Sequence, residues 1–453
     1  MITPNLPHPR GITRREMMQV GYSGLLGVGL SSLTAQSATV RSPKPKSVIL
    51  VFLTGAASHI DTFDPKPDAP VEIRGEFGVV KTPVPGTIIS ACLPKLAERA
   101  GSYALVRTMA HKDNNHTAAT HHVITGAIQP NVRFDKPLSR EDWPNFGAGL
   151  NYLRPRSDGV PTGVTLPTFL QSSDAGLVWP GQHAGFLGPR HDPLQIQADP
   201  SKPDFRVNDL QIMAGLDVDT LDSRRSLLSE MTLKQRALAT SAEGRRLSEQ
   251  QEKAFTLLTS GKLSRAFDMD QEKAATRDRY GRHMFGQSLL LSRRLVEAGV
   301  PMIQANMGRV QNWDSHSNNF KRLKNDLLPP LDAGVSALLD DLKERGLFDD
   351  TLVVVVGDFG RTPKVNLKDG GRDHWAACFS ALFAGAGVRG GLVLGKSDAT
   401  AAYPSTAPFS PDDLGATVYH ALGIDPASEI RDRQDRPTPL NRGQVIQPLF
   451  TGA

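Results

Sequence analysis

Four consecutive valines, Val353 to Val356, lie within the apolar run Thr351–Val356, which leads directly into Gly357 and Asp358. A strand that is apolar on both faces needs both faces covered, and a parallel strand inside an α/β sheet meets that demand. The same kind of run recurs at Ser47–Leu53, which ends in Thr54-Gly55, and again at Tyr103–Met109, Val300–Ala305 and about Cys378–Phe383. Helical periodicity lies between these runs. Over Pro330–Arg345, Leu331, Val335, Leu338, Leu339 and Leu342 form one apolar face, with proline at the start and Gly346 after the end. Over Pro411–Leu422, Ser410 is the expected N-cap, Pro411 takes the first position and Gly423 follows. Alternating strands and helices predict an α/β fold with a parallel-rich sheet sandwiched by helices.

The chain has 453 residues, enough for a large core. Its insertions fall between core strands, so residues 45–453 are expected to form a single α/β domain. Within it, residues 127–215 are rich in proline and glycine and predict a loop-rich insertion. Residues 216–298 are charged and helix-forming. They predict a helical insertion beside the sheet, or a dimerisation arm. Residues 1–38 carry Arg14-Arg15, a glycine-interrupted apolar run from Val20 to Leu33, and the small residues Ala35, Ser37 and Ala38. That pattern predicts a twin-arginine signal peptide and export to the periplasm, with an uncleaved anchor as the alternative. The run is too short and glycine-rich for a good membrane span, and no other segment reaches transmembrane length. No stable membrane span is expected after processing.

The net charge is only +5, and positive and negative residues are interspersed rather than clustered, which argues against a nucleic-acid partner. Two cysteines, Cys92 and Cys378, cannot build a zinc ribbon or a disulfide scaffold. A metal in this chain would be held by histidine and carboxylates.

Open α/β sheets bind ligands beyond the carboxyl ends of their strands. The first run is followed by Ser58-His59-Ile60-Asp61, the second by His111, Asp113 and His116, and the third by Trp313-Asp314-Ser315-His316. The fourth is followed by Asp358-Phe359-Gly360-Arg361 and then Arg372-Asp373-His374. Five of the chain's 12 histidines fall in these windows. Imidazoles with carboxylates suit a divalent ion such as Zn or Mn. Asp314 and His316, two apart in an extended segment, point to one face. Each residue also has a plainer reading: Asp314 as a helix cap, Asp358 as a turn residue, His374 as a packed histidine. Arg361, Arg372 and Lys66 stand beside these residues; the arginines either receive an oxyanion or pair with a neighbouring aspartate. Asp358-Phe359-Gly360 also spells the kinase magnesium motif, but no glycine-rich loop, strand lysine or His-Arg-Asp loop precedes it.

Residues 116–126, His-Thr-Ala-Ala-Thr-His-His-Val-Ile-Thr-Gly, resemble the arylsulfatase signature in length, apolar positions and closing Thr-Gly. Asp358-Phe359-Gly360 resembles the Asp-Asn-Gly of sulfatases and the Asp-His of alkaline phosphatases. Ser58–Pro67, Gly181–Gly188, Trp313–His316, Phe359–Pro363 and Gly371–Trp375 resemble the motifs of a bacterial twin-arginine-exported family of unknown function. That family is grouped with sulfatase-like proteins of the alkaline phosphatase superfamily. The resemblance implies an alkaline phosphatase/sulfatase-like fold and a divalent metal (Zn, Mn or Ca) held by Asp61, Asp314, His316, Asp358 and His374. Catalytic roles would fall to His116, Thr117, Arg361 and Arg372. The substrate would be a sulfate or phosphate ester, with a sulfated glycan suggested by the kinship and by export. The sequence departs from the signature where the nucleophile belongs: His116 stands in place of Cys or Ser and cannot become formylglycine. Thr54-Gly55 replace the usual metal-binding aspartate after the first strand, which leaves Asp61 as the substitute. The alternative is a non-catalytic metal- or glycan-binding protein.

Overall fold

The structure, a computed structural model, describes residues 47–128, 138–171, 176–207, 261–308 and 312–450. The expected signal peptide and most of the predicted helical insertion lie outside the described residues. Eight strands form the central sheet: β1 (Ser47–Leu53), β2 (Tyr103–Met109), β3 (Gly163–Leu166), β4 (Leu194–Gln195), β5 (Met302–Asn306), β6 (Thr351–Gly357), β7 (Phe379–Ala384) and β8 (Val393–Leu394). Their order is β8-β2-β7-β6-β1-β5-β3-β4. β1 lies at the centre, parallel to β5 and β6, with Val51 level with Ala305 and Val355.

Every pair is parallel except those made by β7, which runs antiparallel to both β2 and β6. The fifth apolar run is thus a strand, but reversed. No crossover helix separates β6 from β7. The chain folds a short antiparallel ribbon at the carboxyl end of β6, Gly360–Arg361 against His374–Trp375, and re-enters the sheet from the same edge. A return without a crossover can only be antiparallel.

Alternation along the strands builds two cores. Ile49, Val51 and Leu53 of β1 join Val353 and Val355 of β6 on one face, while Val48, Leu50 and Phe52 join Leu352, Val354 and Val356 on the other. The first face is covered by α5 (Met284–Glu297) and α6 (Leu328–Glu344). The second is covered by α1 (His116–Thr125), α2 (Phe146–Leu153) and α7 (Pro411–Ala421). Two shorter helices, α3 (Gly261–Phe267) and α4 (Ala274–Tyr280), precede α5. Leu331, Val335, Leu338, Leu339 and Leu342 of α6 are all fully buried, each side chain contributing about 1.5–3 kcal/mol of transfer free energy. α6 starts two residues before the position predicted, on a π-turn at Leu323–Leu327, so both prolines fall in its first turn. α7 closes its N-terminus with a reciprocal Ser410–Asp413 capping box.

Candidate metal centre

The carboxyl ends of β1, β2, β5 and β6 share one edge of the sheet, and the loops leaving it carry the candidate residues. After β2, Asn115 caps α1, its Oδ1 accepting from the Thr117 N–H at 2.9 Å and the Ala118 N–H at 3.3 Å. The cap starts the helix at His116 and fixes that side chain at the sheet edge. After β5, the Trp313 N–H donates to the Thr54 carbonyl at 3.0 Å, and the fully buried Trp313 ring anchors Asp314 beside it. After β6, the ribbon places His374 across from Arg361. Gly371 lets that loop lie against the Asp314–His316 loop, because a Cβ there would collide with the His316 carbonyl.

His116, Asp314 and His374 present ligand atoms that all lie within 4.8 Å of one another. His116 Nε2 is 3.5 Å from Asp314 Oδ2, and His374 Nε2 is 3.2 Å from Asp314 Oδ1. His316 joins them, its Nε2 3.0 Å from Asp314 Oδ1 and 2.9 Å from His374 Nε2. The opposite nitrogen of each ring is held by an acceptor. His116 Nδ1 meets the Asp358 carboxylate, His316 Nδ1 meets Asp373 Oδ1 at 2.6 Å, and His374 Nδ1 meets the Asn114 carbonyl at 2.7 Å. These acceptors assign a proton to each Nδ1 and leave each Nε2 a lone pair. Three lone pairs and a carboxylate then converge. The His316 and His374 nitrogens face each other at hydrogen-bond distance with no proton to share when both rings are neutral. Buried His116 Nε2 has no hydrogen-bond partner among the described residues. A cation resolves this arrangement, and a ligating histidine backed through its other nitrogen by a carboxylate or carbonyl is the usual setting of a metal site. The donor set fits a divalent ion that accepts nitrogen and oxygen ligands.

The packing is aromatic. The His116 ring lies between Phe359, 4.6 Å away at 24°, and Trp179, 6.0 Å away at 7°, and it meets His374 edge-on at 4.3 Å. Burial works against a charge on His116, but Asp358 and Asp314 outweigh it and push its pKa up to about 9. Burial also opposes the charge on Asp314, yet the neighbouring His116 and His374 rings and the charge of Arg361 hold its carboxyl well below the usual range. Without a metal, a proton on His116 takes the place of the cation. His111 is different: burial pulls it down to about 4, and its Nε2 donates to the Asp358 carbonyl at 2.7 Å.

The structure brings His116, Asp314, His316 and His374 together. Asp358, expected as a ligand, stands behind His116 and orients it. Asp61, also expected as a ligand, is turned away from the cluster: its oxygens take Arg372 Nε at 2.8 Å, Arg372 Nη2 at 3.0 Å and Asn319 Nδ2 at 2.9 Å. The other Arg372 donors go to the carbonyls of Ile73, Thr362 and Pro363, so this fully buried guanidinium ties loops together instead of facing a substrate. Arg361 reaches the cluster through Nη2, 2.5 Å from Asp314 Oδ1, while Nε bonds the Ala56 carbonyl at 3.0 Å and Nη1 the Arg372 carbonyl at 3.2 Å. Thr117 is buried next to His116 in the first turn of α1. Asp373, Asn114 and Trp179 were not singled out from the sequence as site residues. Asp373 had a visible signal, since it immediately precedes His374, whereas the Asn114 carbonyl and the Trp179 ring carry none.

The fold and this cluster define an α/β protein with a histidine-rich candidate metal centre at the sheet edge. The chain belongs to the DUF1501 family of proteins of unknown function, which it matches over residues 45–450. No curated protein matches it. Among solved structures it is similar to Ps i-CgsB, at 12% identity over 84% of this chain and 73% of that one, with a TM-score of 0.40. It is also similar to the PsFucS1 sulfatase from Pseudoalteromonas sp., at 12% identity over 92% and 72%, TM-score 0.38. A third is the alkaline phosphatase from the Antarctic bacterium TAB5, at 13% identity over 84% and 99%, TM-score 0.38. No helix among the described residues is long and apolar enough to cross a membrane.

Proposed function

We propose that the chain binds a divalent metal ion through His116, Asp314, His316 and His374 and hydrolyses an anionic ester, a sulfate or a phosphate. The observation that carries the reading is the convergence of three imidazole Nε2 atoms on one carboxylate, each ring fixed through Nδ1 by an acceptor. A bound ion of this kind supplies Lewis acidity to an ester oxygen. Asp358, Asp373 and the Asn114 carbonyl hold the three rings in register, and Arg361 holds Asp314. Thr117 is the hydroxyl we assign as nucleophile, since His116 is committed to the ligand set. Arg14-Arg15 and the segment after them support delivery of the protein to the periplasm by the twin-arginine route.

A second reading, a metal-binding protein without catalysis, is favoured by one observation. The donors of Arg361 and Arg372 are directed at carbonyls, Asp314 and Asp61, which leaves neither guanidinium turned toward an incoming oxyanion. The test is metal content of the purified protein, followed by hydrolysis of aryl sulfate and aryl phosphate with and without chelator. Bound metal with chelator-sensitive turnover that Thr117→Val abolishes is the expected result. Metal without turnover on either ester selects the second reading, and no metal at all overturns both. Asp314→Ala is expected to weaken metal binding by more than about a hundredfold, beyond the usual effect of removing a residue that merely orients a ligand.

A further inference from the structure

At the far end of α1 from His116, beyond Thr125, a cavity of about 520 Å3 opens beside Ala127 and Ile128. That volume is in the range that holds small molecules. Its two sides differ in chemistry. One carries Trp143 and Phe186, both partly exposed, with ring centroids 5.1 Å apart at 82°. Trp143 Nε1 donates to the Leu440 carbonyl at 3.2 Å, which fixes the indole in place. The other side is the turn between the ribbon strands Glu429–Arg431 and Pro437–Pro439, together with Arg442.

The charges of this cavity are only partly internal. Asp412 is taken by His122, Nε2 to Oδ2 at 2.6 Å, and Arg436 by Asp432, Nε to Oδ2 at 2.7 Å. Arg433 and Arg442 make no hydrogen bond or ion pair among the described residues, and Glu141 is the one lining carboxylate left to face two guanidinium groups. A guanidinium offers a planar pair of donors that matches a carboxylate or a sulfate.

We infer that this cavity is a second ligand site, for an anionic sugar unit bearing a carboxylate or a sulfate. A pyranose ring has an apolar C–H face for the Trp143–Phe186 side and an acid group for Arg433 and Arg442. The site is independent of the metal-centre reading, and its test does not use turnover. The full chain, with and without chelator, is titrated with glucuronic acid, glucose 6-sulfate, glucose and benzoate, with binding read by saturation-transfer NMR. At least one sugar acid is expected to bind about tenfold or more tightly than glucose and benzoate. The Arg433→Ala/Arg442→Ala double variant, at two exposed positions, is expected to weaken that binding by at least about tenfold while the thermal unfolding midpoint stays put. Trp143→Ala is expected to weaken it as well, and His316→Ala to leave it unchanged. Which acid binds separates carboxylate from sulfate as the preferred group. The inference is overturned if neither acid exceeds glucose, if benzoate matches the acids, if the arginine pair is dispensable, or if His316→Ala removes the binding.

Discussion

The ion-pair network between α5 and α6 and the histidine cluster at the sheet edge are built on opposite plans. Where α5 packs on α6, Arg293 is fully buried, with Nε 2.9 Å from Asp341, Nη2 2.7 Å from Glu272 and Nη1 2.5 Å from Glu297. Asp341 also takes Arg345 at 2.8 Å and the Tyr280 hydroxyl at 2.9 Å. In that network cations meet anions and the charges close on themselves. At the sheet edge, by contrast, three histidines turn lone pairs toward a carboxylate and two of them face each other nitrogen to nitrogen, with no cation among them. A closed network needs nothing from outside and holds helices together, whereas an open one is incomplete without a cation.

The largest effect expected from this difference is on stability. Asp341→Ala leaves Arg293 buried beside fewer carboxylates and should cost about 3–5 kcal/mol in urea unfolding, without changing metal affinity. In the metal-free protein His316→Ala should cost less than about 1 kcal/mol, because the ring is nearly half exposed and its contacts are polar. Equal costs at the two sites would erase the distinction.

Next comes the response to pH. Without metal, the pKa of His116 is raised from the ordinary 6.5 to about 9. The stability this supplies is fully present below about pH 6.5 and is lost as pH rises through about 9; its size is on the order of 3 kcal/mol. The chelated protein is expected to lose stability over that window, and the metal-loaded protein to be spared, since a cation replaces the proton. Parallel curves with and without chelator would mean that no cation competes for that position.

A smaller effect is expected at the residues that orient the ligands. Asp358→Asn and Asp373→Asn should each weaken metal binding by about 10–100-fold, read by competition with a chromogenic chelator. The smallest effect belongs to the helix cap: Ser410→Ala, a residue of neither cluster, should cost about 1 kcal/mol and leave metal affinity unchanged.

The sheet was largely legible in the sequence, because the interior of a strand buried on both faces has to be apolar, and Val48–Leu53 and Leu352–Val356 are. The reversal of β7 was not, since the direction of a strand depends on how the chain returns to the sheet. Within the site, the pairing of Asp314 with His316 could be read from their spacing. The pairing of Asp61 with Arg372 could not, because those residues are 311 positions apart and meet only through the loop that Gly371 brings close. For the same reason Asp358 and His374 look alike as candidates in sequence, yet only His374 turns toward Asp314 while Asp358 supports His116 from behind.

By itself, then, the sequence determined which residue types would crowd one edge of a parallel-rich sheet, because apolar runs must be buried and the loops after them carry the polar groups. Only the tertiary structure decided which of those residues share a cation and which pair with one another. That choice depends on a few ångströms between loops distant in the chain, and on which nitrogen of each ring finds an acceptor.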